Sequence, residues 1–142
     1  MFVKQLSVFM ENREGRLEEV LNLIKEQNIN IISLSLADTS DYGMLRLLVA
    51  DPEKALSALK SNGFSATLTD VLALKLEHRV GTLQAALGAI CKAGINIEYM
   101  YALSTGTTDA AIAIKTSDLA KAEEVLAKAG ITCYSAADMT SI

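Results

Sequence analysis

The chain has 142 residues, 51% of them apolar, and a formal net charge of −4. That length allows one ordinary domain or two very small ones, and the apolar share can bury a core and excludes bulk disorder. The acidic balance argues against a nucleic-acid partner, which needs cations against phosphate.

From the N-terminus, Lys4 and Gln5 interrupt the apolar run before it forms a signal-peptide core. No stretch approaches the ~20 apolar residues of a membrane span. The expectation is a cytoplasmic protein with no membrane partner. Leu6, Val8 and Met10 alternate with Ser7 and Phe9, which predicts a half-buried strand. Leu17, Val20, Leu21 and Ile24 then recur at helical spacing and predict an amphipathic helix. Ile29–Ala37 reads as a second strand, Ser35–Gly43 as a turn rich in Asp, Ser, Thr and Gly, and Met44–Ala50 as a third strand. Asp51 is a predicted N-cap with Pro52 in the first turn of a second helix, which ends near Gly63. Phe64–Thr67 closes the segment as a short strand.

The same order then returns. At an offset of 66 residues Glu11/Glu77, Arg13/Arg79, Gly15/Gly81, Leu17/Leu83, Leu21/Leu87, Ile24/Ile90 and Ile29-Asn30-Ile31/Ile95-Asn96-Ile97 coincide. Beyond the central hairpin the offset is 67, with Asp51/Asp118, Ala55/Ala122, Leu59/Leu126 and Gly63/Gly130. An extra residue in an exposed hairpin explains the shift. The second copy carries a strand at Leu72, Leu74 and Leu76, and a helix with Leu83, Leu87, Ile90 and Cys91 on its stripe and Gly94 at its C-terminus. Strands Ile95–Leu103 and Ala110–Lys115 follow around the turn Ser104–Asp109. A helix capped by Ser117 or Asp118 comes next, ending near Gly130, and then a closing strand Ile131–Tyr134.

The pattern is β-α-β-β-α-β twice, the split βαβ arrangement of ferredoxin-like folds. The expected class is α+β: two modules, 1–68 and 69–142, each an antiparallel four-stranded sheet with its helices on one face. The joint is a link of about two residues near Leu68–Thr69. Cys91 and Cys133 read as two buried reduced thiols.

Catalytic groupings are scarce. The single histidine, His78, stands in a loop, and no spacing supports a metal site, a P-loop or a dinucleotide fold. A non-enzyme without cofactor is expected. The feature that stands out is the turn before the first helix of each copy: Asn12-Arg13-Glu14-Gly15-Arg16-Leu17 and His78-Arg79-Val80-Gly81-Thr82-Leu83. Glycine lets a ligand approach the backbone, the helix N-terminus favours a carboxylate, and arginine adds charge-assisted bonds. Equally, the glycines simply permit the turn and the arginines are solvated. The second repeated unit is Asn30-Ile31 and Asn96-Ile97 at the start of the second strand. There an asparagine amide meets both ends of a zwitterion, or else closes a local turn.

These residues resemble the ACT domain, whose motif opens the first helix with Gly-x-Leu and starts the second strand with Gly-hydrophobic-Asn-Ile. Here Gly15-Arg16-Leu17 and Gly81-Thr82-Leu83 match the first part. Asn28-Ile29-Asn30-Ile31 and Gly94-Ile95-Asn96-Ile97 match the second. The usual proline before the loop glycine is Glu14 or Val80, and Asn28 stands for the usual glycine in the first copy. The resemblance covers both copies. It implies a regulatory module that binds an amino acid where two ACT units meet, between the loop of one and the second strand of another. It also implies units that join edge to edge into an eight-stranded sheet. With no room for a catalytic domain, the resemblance implies a stand-alone homodimer acting in trans on a metabolic enzyme. The alternative is an interaction subunit that pairs with an enzyme and binds no ligand. The copies differ: Ser33 and Ser35 become Tyr99 and Tyr101, aromatics suited to packing or to a larger ligand. An RNA-binding module is not expected, because strands Met44–Ala50 and Ala110–Lys115 lack aromatics.

Overall fold

The computed structural model describes residues 1–38, 41–104 and 110–140. The chain divides into two compact units, Lys4–Thr69, and Met1–Val3 with Asp70–Thr140. Elements run β1 (Val3–Glu11), α1 (Arg16–Glu26), β2 (Ile31–Asp38), β3 (Tyr42–Val49), α2 (Pro52–Ser61), β4 (Ser65–Leu76), α3 (Thr82–Lys92), β5 (Ile97–Leu103), β6 (Ala110–Thr116), α4 (Leu119–Lys128), β7 (Thr132–Cys133) and α5 (Ala136–Thr140). The class is α+β and ferredoxin-like, as the repeat requires. The expected turn 105–109 lies outside the described residues.

In the first unit β3 pairs antiparallel with both β1 and β2, and β4 is the other neighbour of β1. Ser7 Oγ and Thr69 Oγ1, 3.1 Å apart, mark where the early part of β4 lies beside β1. In the second unit β6 pairs antiparallel with β5 and with the later part of β4, and β7 pairs with β4 at Leu74 and Lys75. Both units therefore share one order: second strand, third, first, fourth. The strand period decides which side chains enter the core. Leu6, Val8 and Met10 meet Val20 and Ile24 of α1, with Ala55 and Leu59 of α2. Leu72, Leu74 and Leu76 meet Ala86, Ile90, Ala122 and Leu126 of α3 and α4. Each leucine, isoleucine, valine or methionine among them, taken fully out of water, contributes roughly 1.5–3 kcal/mol.

Local chemistry ends the elements where the residue types require. Asp51 Oδ1 accepts from the Lys54 N–H at 3.2 Å, and Asp118 Oδ1 from the Lys121 N–H at 3.0 Å, so both carboxylates cap helices. Ser117 instead accepts from the Asn96 N–H. The chain leaves α1 through Asn28 and α3 through Gly94, both in the left-handed region at φ 58° and 74°. Asparagine is the side chain that tolerates this place best, which explains its exchange with glycine.

Four expectations need correction. The closing strand of the first copy and the opening strand of the second are one twelve-residue strand, β4, with no link at Leu68–Thr69. Nothing between Phe64 and Leu76 breaks extended backbone. Of the turn expected at Ser35–Gly43, Ser35–Asp38 belong to β2 and Tyr42–Gly43 to β3, and 39–40 lie outside the described residues. The second strands start at Ile31 and Ile97, later than Ile29 and Ile95, which lie in the corner after each helix. Lastly, Cys91 is exposed and only Cys133 is buried. Burial, and secondarily the Glu123 carboxylate, hold the Cys133 thiol above its ordinary pKa. A disulfide-exchange reagent at neutral pH is expected to titrate one thiol fast and the second only as the protein unfolds. Two fast thiols, or two slow ones, would contradict this placement.

A further helix, α5, was not expected. Ser135 and Asp138 form a reciprocal cap: Ser135 N–H donates to Asp138 Oδ2 at 2.7 Å and Asp138 N–H to Ser135 Oγ at 3.2 Å. These bonds to Ser135 lower the Asp138 pKa. Among the described residues no helix is long and apolar enough to cross a membrane.

Candidate functional site

The two loops before α1 and α3 have the same backbone. Gly15 and Gly81 occupy the N-cap position at φ 82° and 90°, left-handed values that exclude most side chains. In each loop the arginine N–H turns back to the preceding glutamate carbonyl, Arg13 to Glu11 at 3.0 Å and Arg79 to Glu77 at 2.9 Å. Glu19 N–H donates to Gly15 O and Ala85 N–H to Gly81 O, both at 3.0 Å, which starts the helix. Neither helix has a side-chain cap. The first N–H of each helix, Arg16 or Thr82, bonds the Arg13 or Arg79 carbonyl at 3.4 Å, and no side chain caps the ones that follow, so the positive end of the dipole is left suited to a carboxylate.

The loop side chains are mostly exposed: Asn12, Arg13, Glu14, His78, Arg79 and Val80 all face solvent. Arg13 Nε pairs with Glu11 Oε2 at 3.1 Å, and Arg79 Nε with Glu77 Oε2 at 2.6 Å. Such exposed pairs stabilise little. Arg16 and Thr82 are half-buried, and so are Leu17 and Leu83, which pack against the two cores.

Asn30 and Asn96 are exposed at the opposite corner of each unit. Their carbonyls accept from Ala50 N–H at 3.0 Å and Ser117 N–H at 2.9 Å, so backbone bonds hold the corner and the amides face outward. Ile31 and Ile97 pack against the cores. A bulge between Ile97 and Tyr99 turns the tyrosine to the other sheet face, opposite Lys115. Tyr99 and Tyr101 are both half-buried there.

Register separates the two groups. Glu11 faces Tyr42 at one end of β3, and Ile31 faces Val49 at the other. At ~3.3 Å per residue those ends stand roughly 23 Å apart. The second unit repeats this, with Leu76 opposite Ala110 and Ile97 opposite Thr116. The loop and the asparagine of one copy cannot touch the same small molecule.

Concavities adjoin both loops and the first asparagine corner. A cleft of about 420 Å³ lies behind the second loop, lined by Lys75, Glu77, Arg79 and Thr82 and by Ala129 and Ile131 of the α4–β7 turn. Lys75, Ala129 and Ile131 were not expected from the sequence. Lys75 stands on β4 itself, and Ala129 and Ile131 arrive because β7 lies beside β4, as a ferredoxin-like order dictates. A hollow of about 430 Å³ lies at Asn28–Ile31 with Leu21 and Lys25. At the first loop only about 80 Å³ is open, beside Leu36 and Gly43. Among the described residues no cluster of His, Cys, Asp or Glu is set to hold a metal ion.

Known structures share this architecture. A crystal structure of a Bacteroides thetaiotaomicron protein is 38% identical, with TM-score 0.93, over 100% of this chain and 98% of that one. The regulatory subunit of aspartate kinase from Thermus thermophilus, in its ligand-free form, is 16% identical with TM-score 0.63, over 89% of this chain and 91% of that one. That from Thermus flavus is 19% identical with TM-score 0.61, over 89% and 92%. At those identities the two kinase subunits share the fold alone. A comparison with curated proteins gives no match. The family described as the ACT domain pair matches residues 1–142, and the chain belongs to it.

Proposed function

We propose that this protein is a stand-alone regulatory protein that binds an amino acid where two ACT units meet, and that it catalyses no reaction. The observation that carries this reading is the separation of the two repeated groups. Each unit presents an outward-facing helix N-terminus with a left-handed glycine at one end and an outward-facing asparagine amide at the other. A ligand with a carboxylate and an ammonium group uses both when the loop of one unit meets the asparagine of another. The likeness to aspartate kinase regulatory subunits supports a regulatory role.

The signal goes in trans, to a metabolic enzyme or regulator, and the acting species is a homodimer. Edge strand β2 supports the pairing: Leu34 and Leu36, on the helix side of the sheet, are each 46% exposed. Ligand binding acts by favouring one arrangement of units through its differential affinity. A calorimetric titration with the amino acid that binds tests the site. Asn30→Ala or Asn96→Ala is expected to weaken binding about tenfold, the worth of one hydrogen bond to a charged group. Unchanged affinity in both variants would overturn the assignment of the asparagines.

A further inference from the structure

Each copy carries a lysine where helix physics disfavours one. Lys54 and Lys121 stand three residues after the capping Asp51 and Asp118, in the first turn of α2 and α4. A cation there opposes the positive end of its own helix, and the residue that completes a capping box at that place is Glu or Gln. The neighbours differ between copies. At an offset of 67 Pro52 meets Leu119 and Glu53 meets Ala120, and at 66 Gln27 meets Ala93 and Asn28 meets Gly94. The lysine is the same in both.

The reach of the side chain explains its place. Lys54 Nζ donates to Gln27 O at 2.9 Å, and Lys121 Nζ to Ala93 O at 3.0 Å. Gln27 and Ala93 are the C-cap residues of α1 and α3. Each ammonium therefore sits at the negative end of the preceding helix, where a cation is favoured and an orphan carbonyl needs a donor. Three residues beyond each held carbonyl stands the exposed asparagine, Asn30 or Asn96. Its own carbonyl accepts from Ala50 N–H at 3.0 Å or Ser117 N–H at 2.9 Å, from the residue just before the capping aspartate. One short segment, Ala50–Lys54 or Ser117–Lys121, thus pins the corner at both ends. The aspartate braces that segment by accepting from the lysine's own N–H at 3.2 or 3.0 Å. Between the two pins the chain turns through left-handed Asn28 or Gly94, and glycine is the residue most free to leave such a conformation.

We propose that Lys54 and Lys121 are positioning residues: each clamps the corner that aims the asparagine amide at the ligand, without touching the ligand itself. This rests on the site between units proposed above and supplies what that site needs, an amide held in place before the other unit arrives. A group already fixed loses less freedom on binding. Both lysine bonds are exposed, so they add little to global stability.

The test removes each donor in the full chain with Lys54→Met and Lys121→Met, which keep an unbranched stem, and restores it with Lys54→Arg and Lys121→Arg. The probe is the standard amino acid that most raises the melting temperature of the unaltered chain. At least one methionine variant is expected to bind it about threefold more weakly, with a melting temperature lower by no more than about 2 °C. The matching arginine variant should bind as the unaltered chain does. Without ligand, backbone order parameters are expected to fall from about 0.85 towards 0.6 at Asn28, Ile29 and Asn30 in Lys54→Met alone, and at Gly94, Ile95 and Asn96 in Lys121→Met alone. Lys60→Met, exposed at the other end of α2, should change neither readout. Unchanged affinity in both methionine variants, or weakened binding that arginine fails to restore, would overturn the proposal. An unaltered chain that binds none of the twenty amino acids overturns the site between units instead. The order parameters then judge the clamp by themselves, and no fall in either corner would overturn it.

Discussion

Leu74→Ala is expected to destabilise the second unit by roughly 2–5 kcal/mol. Leu74 is fully buried on β4. Ile112 of β6 and Cys133 of β7 are its partners across the ladders, so strands on both sides hold its backbone. The isopropyl group lost there leaves a cavity that the surroundings close only in part. Melting followed by far-UV circular dichroism is expected to fall by about 10 °C or more. Gln84→Ala, exposed on α3, is the control and should stay within about ±0.5 kcal/mol. A Leu74→Ala loss no larger than that of the control would contradict the packing described for the second core.

Gly81→Val and Gly15→Val are expected to cost about 1–2 kcal/mol each, and for a different reason. A Cβ at either position meets nothing within 4 Å, so no clash arises. The strain is in the backbone, where φ of 82° or 90° is an outlier for a β-branched residue. The loop relieves it by turning its N–H groups away, so amino-acid binding should fall together with the melting temperature. Gly88→Val, at an ordinary φ on α3 where a Cβ meets only Gln84 Nε2 at 3.7 Å, is the control: valine is a better helix former than glycine, so both stability and binding should be kept. Wild-type binding by Gly81→Val and Gly15→Val would remove both loops from the site.

Much of this was legible in the residues. Alternation at Leu6, Val8 and Met10 and helical spacing from Leu17 to Ile24 are direct consequences of strand and helix geometry. The internal repeat made each reading twice. Asp51, Asp118 and the glycines after the helices announced the ends, because few residues satisfy those positions. Other features were legible but less directly. Cys91 aligns with Lys25, and a lysine marks a solvent-facing position that the apolar stripe alone obscured. Ser135 and Asp138 carry the spacing of a reciprocal cap. The continuity of β4 follows from the absence of a breaker between Phe64 and Leu76.

The site was less legible, and the reason is distance. The sequence places Gly15 near Asn30, fifteen positions along, yet the register of β3 sends them to opposite ends of the unit. The cleft behind Gly81 depends on Ile131, brought in by the pairing of β7 with β4.

The central claim, that the protein is an amino-acid sensor, is tested most directly by melting the full chain in the presence of each of the twenty amino acids at millimolar concentration. One amino acid, or a small related set, should raise the melting temperature by several degrees, since ligand at 100 times its Kd contributes about 2.7 kcal/mol. A flat response to all twenty would contradict it.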